Sequence, residues 1–255
     1  MKLNFKKIGE TGLPVLILHG LFGSLDNWIS IARALAENHF IVYIIDQRNH
    51  GQSPHSEDFN YSLMADDLKE FIFEHSIKNP IVIGHSMGGK TVMQFACKYP
   101  ELTEKLIVVD ISPAYYPVHH HEIIDALFSL HLDEIKNRNE AEEQLSHKIK
   151  DFGVRQFLLK NLYRKNAYQF AWRFNLPSIA KNIEEVGKAL FNEALFEKPT
   201  LFIGGTQSNY INKENESLIY KHFPNAQIKM AQGAGHWIHA ETPETFLEIC
   251  LNFIK

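Results

Sequence analysis

The sequence has few cysteines, no long apolar run and no excess of basic residues. Its 255 residues include two cysteines, Cys97 and Cys250, both in predicted helices with apolar neighbours. We expect two buried free thiols in a reducing cytoplasm, and a single disulfide between them is the alternative. No apolar run approaches the ~20 residues that cross a bilayer, so we expect no membrane span.

The charge balance and the first apolar stretch argue against two further classes of protein. The formal net charge is −4, because 30 acidic residues outnumber 26 basic residues. Phosphate binding needs a clustered positive surface, so this balance argues against nucleic acid as a general partner. The apolar stretch at 13–22 has no small-residue cleavage pattern, which favours a strand over a signal peptide. We therefore expect a cytoplasmic protein.

The pattern of apolar residues predicts the fold class. Up to residue 113, apolar runs of strand length alternate with helical patterns, as expected of an α/β fold. This alternation predicts an open, mostly parallel sheet flanked by helices, with right-handed crossovers and a ligand site at the carboxyl ends of the strands. The predicted strands, the first of them an edge strand, cover 3–8, 14–18, 40–45, 80–83, 105–109, 199–203 and 226–230.

The pattern changes between residues 114 and 196. This block has helical spacing and no convincing strand, with helices predicted at 119–132, 139–152, 154–174 and 179–196. A helical insertion between two sheet strands is typical of a cap, or lid, over an active site. We therefore expect a core formed by 1–113 and 197–255, and a helical cap at 114–196.

Three consecutive histidines, His119 to His121, stand near the start of this insertion. Adjacent residues cannot converge on one metal ion from a single helix face, and no cysteine or carboxylate pattern accompanies them. A solvated loop or a helix start is the favoured interpretation. We expect neither a metal nor another cofactor.

The most informative stretch is Gly-His-Ser-Met-Gly-Gly at 84–89. It follows an apolar strand and precedes a helical pattern. A strand that turns sharply into a helix with G-x-S-x-G at the turn is a nucleophile elbow, which exposes the serine at the end of the sheet. Glycine suits positions 84 and 88 because a side chain there would clash with the neighbouring strand or helix. Ser86 is therefore the candidate nucleophile, and a structural Gly-Ser turn is the alternative.

A serine nucleophile needs a base within hydrogen-bond reach to accept its proton. Among the 14 histidines, His236 is the best candidate, because it lies on a glycine-flanked loop after the last predicted strand. This position fits the chain order nucleophile, acid, histidine. His239 is a local competitor whose place just before the closing helix suits a surface or capping role. His19 could also act as a base, but a structural role in its own loop is favoured.

The negative charge that develops on a substrate carbonyl needs backbone donors. The loop His-Gly-Leu-Phe-Gly at 19–23 follows a predicted strand, and its glycines let backbone N–H groups approach a ligand. The N–H of Leu21 is one candidate oxyanion donor. The N–H of Met87, at the start of the helix that follows Ser86, is the other.

Together, these motifs resemble the α/β-hydrolase superfamily and, within it, the small cytoplasmic esterases of the YbfF type. The resemblance covers the chain except the middle of the insertion, and it rests on the motifs at 19–23, 46–51, 84–89, 109–113 and 235–237. It implies a serine esterase or acyl thioesterase with a helical cap. The implied substrates are short acyl esters, with acyl-CoA thioesters as a second substrate class. The expected partner is a small acyl ester or thioester, and the expected assembly is a monomer or small homo-oligomer.

The sequence departs from the family pattern at the carboxylate of the triad. Most relatives carry this acid in the loop after the strand at 199–203, where the chain has Ser208 and no acidic residue before Glu214. The nearest alternative carboxylate is Asp110, an arrangement that some members of the superfamily resemble. Asp110 is favoured over Ser208 as the group that orients His236. A role of Asp110 in substrate binding or at the entrance of the cap is the alternative.

Two classes of function compete. In the first, Ser86 attacks an ester or thioester, and further substrate contacts come from Tyr115, His120, Ser208 and Tyr210. Carbon–carbon bond hydrolases and menaquinone-pathway lyases share this framework. The second class is a non-catalytic binding protein on the same fold, which the presence of both Ser86 and His236 argues against. A dehalogenase or epoxide hydrolase is disfavoured, because those enzymes use an aspartate at the position of Ser86.

Overall fold

The computed structural model describes residues 1–167 and 169–255. Its strands are β1 (Phe5–Ile8), β2 (Leu13–Leu18), β3 (Phe40–Ile45), β4 (Ile81–His85), β5 (Lys105–Val109), β6 (Leu162–Arg164), β7 (Phe170–Trp172), β8 (Thr200–Gly205) and β9 (Ala226–Ala231). Its helices are α1 (Ile29–Glu37), α2 (Tyr61–Glu74), α3 (Met87–Lys98), α4 (His121–Phe128), α5 (Arg138–Ser146), α6 (Phe152–Leu159), α7 (Leu176–Lys181), α8 (Ile183–Gly187), α9 (Lys213–His222), α10 (Ile238–Glu241) and α11 (Pro243–Ile254).

A seven-stranded sheet in the order β1-β3-β2-β4-β5-β8-β9 organises the molecule. The edge strand β1 runs antiparallel to β3, and the other neighbouring strands pair in parallel. The predicted α/β fold with a mostly parallel sheet is confirmed. Because β4, β5 and β8 are neighbours, the loops that follow them meet at one edge of the sheet, where a ligand site is expected in such folds.

Both faces of the sheet are covered by helices, which explains the almost continuous apolar runs of the central strands. Leu16 and Leu18 of β2 pack on the side of α2 and α3. Val15 and Ile17 pack on the opposite side, against α1 and α11. Each fully buried side chain of this size contributes about 1.5–3 kcal/mol of transfer free energy.

The insertion between β5 and β8 has its own apolar cluster. That cluster joins insertion residues such as Leu127, Leu158 and Trp172 to Leu21 and Met87 of the core. The insertion therefore packs directly on the two segments that carry the predicted oxyanion donors.

The prediction that the insertion is purely helical is wrong. The predicted helix at 154–174 ends at Leu159, and β6 and β7 form an antiparallel hairpin in which Leu162 lies opposite Trp172. Buried residues alternate in β7, but each strand has only three residues, too few for a period of two to be distinguished from helical spacing. The helix predicted at 179–196 is also shorter and is divided into α7 and α8, which ends at Gly187.

Two further sequence expectations concern cysteines and membrane segments. Cys97 and Cys250 are both free thiols, but only Cys250, in α11, is fully buried, and Cys97 is half-buried. Across the residues that the structure describes, no helix combines the length and the apolar character needed to cross a membrane.

Candidate active site

Ser86 lies at the turn between β4 and α3 with a left-handed backbone, φ 53° and ψ −118°. A non-glycine residue in such a conformation costs about 1–3 kcal/mol, so the surrounding structure must enforce it. The two glycines that flank the turn allow close approach of other segments. A Cβ on Gly84 would lie 2.2 Å from the Gly88 carbonyl oxygen, and a Cβ on Gly88 would lie 2.5 Å from that of Leu18. The turn therefore has the geometry of a nucleophile elbow.

Three side chains from distant parts of the chain are hydrogen-bonded in series. The Ser86 hydroxyl lies 3.0 Å from His236 Nε2, and His236 Nδ1 lies 2.6 Å from Asp110 Oδ2. A carboxylate only accepts, so Asp110 fixes the proton on Nδ1 and leaves Nε2 free to accept the serine proton. The Asp110 side chain is fully buried, whereas that of His236 is 26% exposed.

Ser208 lies in the same cluster but serves a different partner. Its hydroxyl donates to Asp110 Oδ2 at 2.5 Å, and the Gly205 N–H donates to Asp110 Oδ1 at 3.0 Å. Of the two candidates for the group that orients His236, Asp110 contacts His236 directly and Ser208 contacts Asp110. Asp110 is held at the end of β5 with a left-handed φ of 49°.

Two aromatic side chains fix the loop that carries His236. His85 Nε2–H donates to the backbone carbonyl of His236 at 2.8 Å. The ring of Tyr210 packs against the His236 ring at a centroid distance of 4.6 Å. Burial, followed by the neighbouring His236 and His239, lowers the pKa of His85 well below its ordinary value. His85 is therefore a neutral hydrogen-bond donor at neutral pH.

The loop at 19–23 is held by hydrogen bonds of its side chains and backbone. His19 Nδ1–H donates to the Gly20 carbonyl at 2.8 Å, and its Nε2 accepts from the Gln47 N–H at 3.1 Å. Burial lowers the pKa of His19 to about 4, so the ring orders the loop as a neutral group. The Phe22 N–H donates to His50 Nε2 at 3.2 Å.

Leu21 and Met87 retain unused backbone donors. Within the described part of the chain, no backbone carbonyl accepts a hydrogen bond from the N–H group of either residue. The loop of Leu21 passes beside Ser86, since a Cβ on Gly20 would lie 3.2 Å from Ser86 Cβ. Free N–H groups beside a serine hydroxyl are the donors that an oxyanion requires.

Known proteins resemble this chain over nearly its whole length. A sequence model of the alpha/beta hydrolase fold matches residues 14–243. The chain belongs to the α/β-hydrolase family. Esterase YbfF of Escherichia coli is 34% identical over 260 residues, which cover 100% of each protein. An sn-1-specific diacylglycerol lipase of Xenopus laevis is 40% identical over 255 residues, covering 96% of this hydrolase and 80% of the lipase.

A solved structure agrees with both the family and the fold. The structure of a marine microorganism esterase has a TM-score of 0.97 and 45% sequence identity, and 99% of each chain is covered. The expected resemblance to small esterases is confirmed. The names of these relatives also confirm the expected enzyme class, a carboxylic ester hydrolase.

Two cavities of the hydrolase meet at Ser86. The larger is a cleft of about 510 Å³ between the core and the insertion. The smaller is a pocket of about 30 Å³ on the side of α3. His120 and Tyr210, both predicted substrate contacts, line both cavities, while Ser208 lines neither.

The predicted contact Tyr115 is not brought to the site. Its side chain is 57% exposed and lines neither cavity, whereas the next residue, Tyr116, lines the smaller one. The Tyr116 hydroxyl is held by the Tyr210 carbonyl at 2.5 Å and by Ser112 at 2.6 Å. These bonds turn residue 116 inward and its neighbour outward, which the sequence of two adjacent tyrosines does not reveal.

Sequence reasoning also missed Lys90. This side chain is 2% exposed, and its Nζ donates to the carbonyl groups of Ala114 and, at 3.0 Å, Lys188. Burial lowers the pKa of Lys90 to about 7. Its position four residues after Ser86 could have indicated that Lys90 lies near the site, because residues at i and i+4 lie on the same face of a helix.

The surface or capping role predicted for His239 is wrong. His239 is 5% exposed and stacks on Trp28, with ring centroids 4.0 Å apart and an interplanar angle of 12°. Burial lowers its pKa to about 3. The ring is therefore neutral and acts as part of the packing under the His236 loop.

The three consecutive histidines lie where the insertion begins. His121 is the first residue of α4, and His119 and His121 are exposed. Over the described ranges, no group of three or more His, Cys, Asp or Glu side chains is arranged to hold a metal ion.

Proposed function

We propose that the hydrolase cleaves carboxylic esters through an acyl-enzyme on Ser86. The single observation that carries this proposal is the series Ser86 Oγ, His236 Nε2, His236 Nδ1 and Asp110 Oδ2, with distances of 3.0 and 2.6 Å across its two hydrogen bonds. A serine hydroxyl is a weak nucleophile unless a neighbouring base takes its proton, and this geometry supplies that base.

Acylation begins when His236 Nε2 accepts the hydroxyl proton and Ser86 Oγ forms a bond to the ester carbonyl carbon. The carbonyl oxygen becomes an oxyanion, which the N–H groups of Leu21 and Met87 stabilise. When the tetrahedral intermediate collapses, the bond to the alcohol oxygen breaks, and His236 gives its proton to that oxygen. The alcohol leaves, and the acyl group stays on Ser86.

Deacylation repeats these steps with water. His236 removes a proton from the water molecule, whose oxygen attacks the acyl carbon, and the same two N–H groups hold the second oxyanion. The carboxylic acid leaves as the proton returns to Ser86 Oγ. The same sequence serves an acyl thioester, with a thiol in place of the alcohol.

The roles of Asp110 and Ser208 follow from their contacts. Asp110 is fully buried and accepts from His236 at 2.6 Å, so its charge stabilises the imidazolium that forms in both half-reactions. Ser208 positions the carboxylate by donating to the same oxygen. This arrangement supports Asp110 as the acid of the triad.

We assign the insertion at 114–196 as a cap over the active site. The support is its apolar cluster, which includes Leu21 and Met87, and its contribution of Phe157 and His120 to the walls of the cleft. A cap of this kind excludes water and selects substrates. The cytoplasmic location and the monomeric or small homo-oligomeric state remain predictions from the sequence.

The test is pre-steady-state hydrolysis of p-nitrophenyl acetate. An acyl-enzyme that forms faster than it breaks down gives a burst of about one p-nitrophenolate per active site. Ser86→Ala should abolish the burst and lower kcat by about 10⁴–10⁶ while the circular dichroism spectrum stays unchanged. Turnover by the folded variant at more than about a tenth of the wild-type rate would refute the assignment.

A further inference from the structure

The two cavities that meet at Ser86 differ greatly in size. The cleft measures about 510 Å³ and the small pocket about 30 Å³. A single water molecule needs roughly 10–15 Å³ on this scale, so the small pocket has room for about two or three heavy atoms. The cleft falls within the range of about 300–1,000 Å³ that holds drug-sized ligands. A part of the ester that enters the small pocket must therefore be small.

The position of His236 decides which half occupies which cavity. In acylation, His236 Nε2 donates its proton to the leaving oxygen, so that oxygen must lie within roughly 3 Å of the imidazole. His236 and Trp237 line the large cleft. Among the described residues, the walls of the small pocket include Ser86 and Met87 but not His236. The leaving group thus occupies the cleft, and the acyl group enters the small pocket.

We propose that the enzyme selects esters of a very short acyl group with a bulky, uncharged and mainly apolar alcohol. This inference rests on the proposed acyl-enzyme mechanism. It predicts that the rate depends on whether the bulky group belongs to the acyl part or to the alcohol part of the ester. The size and hydrophobicity of the whole substrate should matter less.

Hydrogen bonds between the core and the insertion fix the size of the small pocket. The Tyr61 hydroxyl of α2 donates to the Val186 carbonyl at 2.7 Å, and Lys90 of α3 donates to the Lys188 carbonyl at 3.0 Å. Tyr116 closes a third side through its 2.5 Å bond to the Tyr210 carbonyl. A longer acyl chain would have to break these buried hydrogen bonds, which leaves polar groups unpaired.

The walls of the cleft match an apolar alcohol. Its apolar side chains come from both the core and the insertion and include Leu21, Phe22, Trp28, Val154, Phe157 and Trp237. Phe157 and Trp237 pack against each other across the cleft with ring centroids 5.6 Å apart. The charged residues of the lining are one lysine, Lys160, and one glutamate, Glu241. This balance offers no cluster of positive charge for the phosphates of a coenzyme A thioester.

Octyl acetate and ethyl octanoate provide the test, because they are isomers with the same atoms and unactivated primary alcohols as leaving groups. We expect kcat/KM for octyl acetate to exceed that for ethyl octanoate by at least tenfold. A smaller ratio, or a preference for ethyl octanoate, would overturn the inference while leaving the Ser86 mechanism intact. If wild-type enzyme hydrolyses neither ester nor p-nitrophenyl acetate, the proposed ester hydrolysis fails, and the inference fails with it.

Two valine-to-alanine variants form a matched pair that assigns each cavity. Val186 lines the small pocket and Val154 lines the cleft, and both pack at the edge of the same apolar cluster. Val186→Ala should raise the ratio of kcat/KM for ethyl hexanoate over ethyl butyrate by about tenfold, because two more carbon atoms gain a buried site. Val154→Ala should leave that ratio within about twofold of wild type. The reverse result, or no change in either variant, would contradict the assignment of the acyl group to the small pocket.

Discussion

Asp110 Oδ2 lies 2.6 Å from His236 Nδ1, although the two residues are 126 positions apart in the chain. Asp110 follows β5 and His236 follows β9, so the loop after β8 lies between them in the sheet order. Ser208 of that loop donates to the same carboxylate oxygen at 2.5 Å. The carboxylate that contacts His236 thus follows β5, and the loop after β8 contributes a hydroxyl that contacts this carboxylate.

Asp110→Asn tests the role of the buried carboxylate. The amide has nearly the same shape but can present an N–H group to Nδ1, which favours the wrong imidazole tautomer and removes the charge that stabilises the imidazolium. We expect kcat for p-nitrophenyl acetate to fall by as much as ~10⁴ with little change in KM. Steady-state kinetics on the folded variant measure both constants. A change mainly in KM that varies with the ester would instead assign Asp110 to substrate binding.

Ser208→Ala is the matched control at the same carboxylate. A neutral hydroxyl positions Asp110 but adds no charge, so its loss should cost about 1–2 kcal/mol, roughly tenfold in kcat. If Ser208→Ala lowers kcat more than Asp110→Asn does, the two roles are reversed.

His85→Phe tests whether the donor under the His236 loop affects catalysis. The substitution keeps an aromatic ring but removes the N–H that the His236 carbonyl accepts at 2.8 Å. An unpaired buried carbonyl costs about 1–3 kcal/mol, and we expect kcat to fall roughly tenfold as the loop shifts. His85→Gln, whose amide can donate to the same carbonyl, should recover most of the rate. A lower rate in His85→Gln than in His85→Phe would show that ring packing, and not the hydrogen bond, is what matters.

His239→Phe tests the effect of a buried neutral histidine on acid stability. Burial lowers the folded-state pKa of His239 to about 3. As pH falls below the unfolded-state pKa of roughly 6.5, the unfolded chain binds the proton first, so unfolding becomes more favourable until about pH 3. At pH 5 this one residue costs up to about 2 kcal/mol, and at pH 7.5 it costs almost nothing.

The phenylalanine can still stack on Trp28 but cannot titrate. Thermal unfolding should therefore show a higher Tm for His239→Phe than for wild type at pH 5, and a smaller difference at pH 7.5. His147→Phe, at an exposed position after α5, is the control and should show no such pH-dependent gain. A gain that is equal at both pH values would indicate a packing effect and not a protonation effect.

Local sequence signals predicted the sheet, the elbow and the histidine loop. The apolar runs mark strands buried on both faces, and G-x-S-x-G between a strand and a helix fixes the position of Ser86. Other features depend on contacts between distant residues. The β6–β7 hairpin has strands of three residues, His239 is recognisable as buried only with Trp28 in place, and the inward turn of Tyr116 depends on Ser112 and Tyr210. The sequence left Asp110 and Ser208 as alternatives for the partner of His236. The fold brings Asp110 into contact with it.

Labelling with a serine-reactive fluorophosphonate, followed by mass spectrometry of the intact protein and its peptides, tests the central claim most directly. The phosphorus atom is attacked by the activated hydroxyl, fluoride leaves, and the phosphonylated serine resembles the tetrahedral intermediate. We predict one adduct per chain, located on Ser86, together with complete loss of esterase activity and no labelling of Ser86→Ala. An adduct on another residue, or an adduct on Ser86 in enzyme that keeps its full activity, would contradict the account.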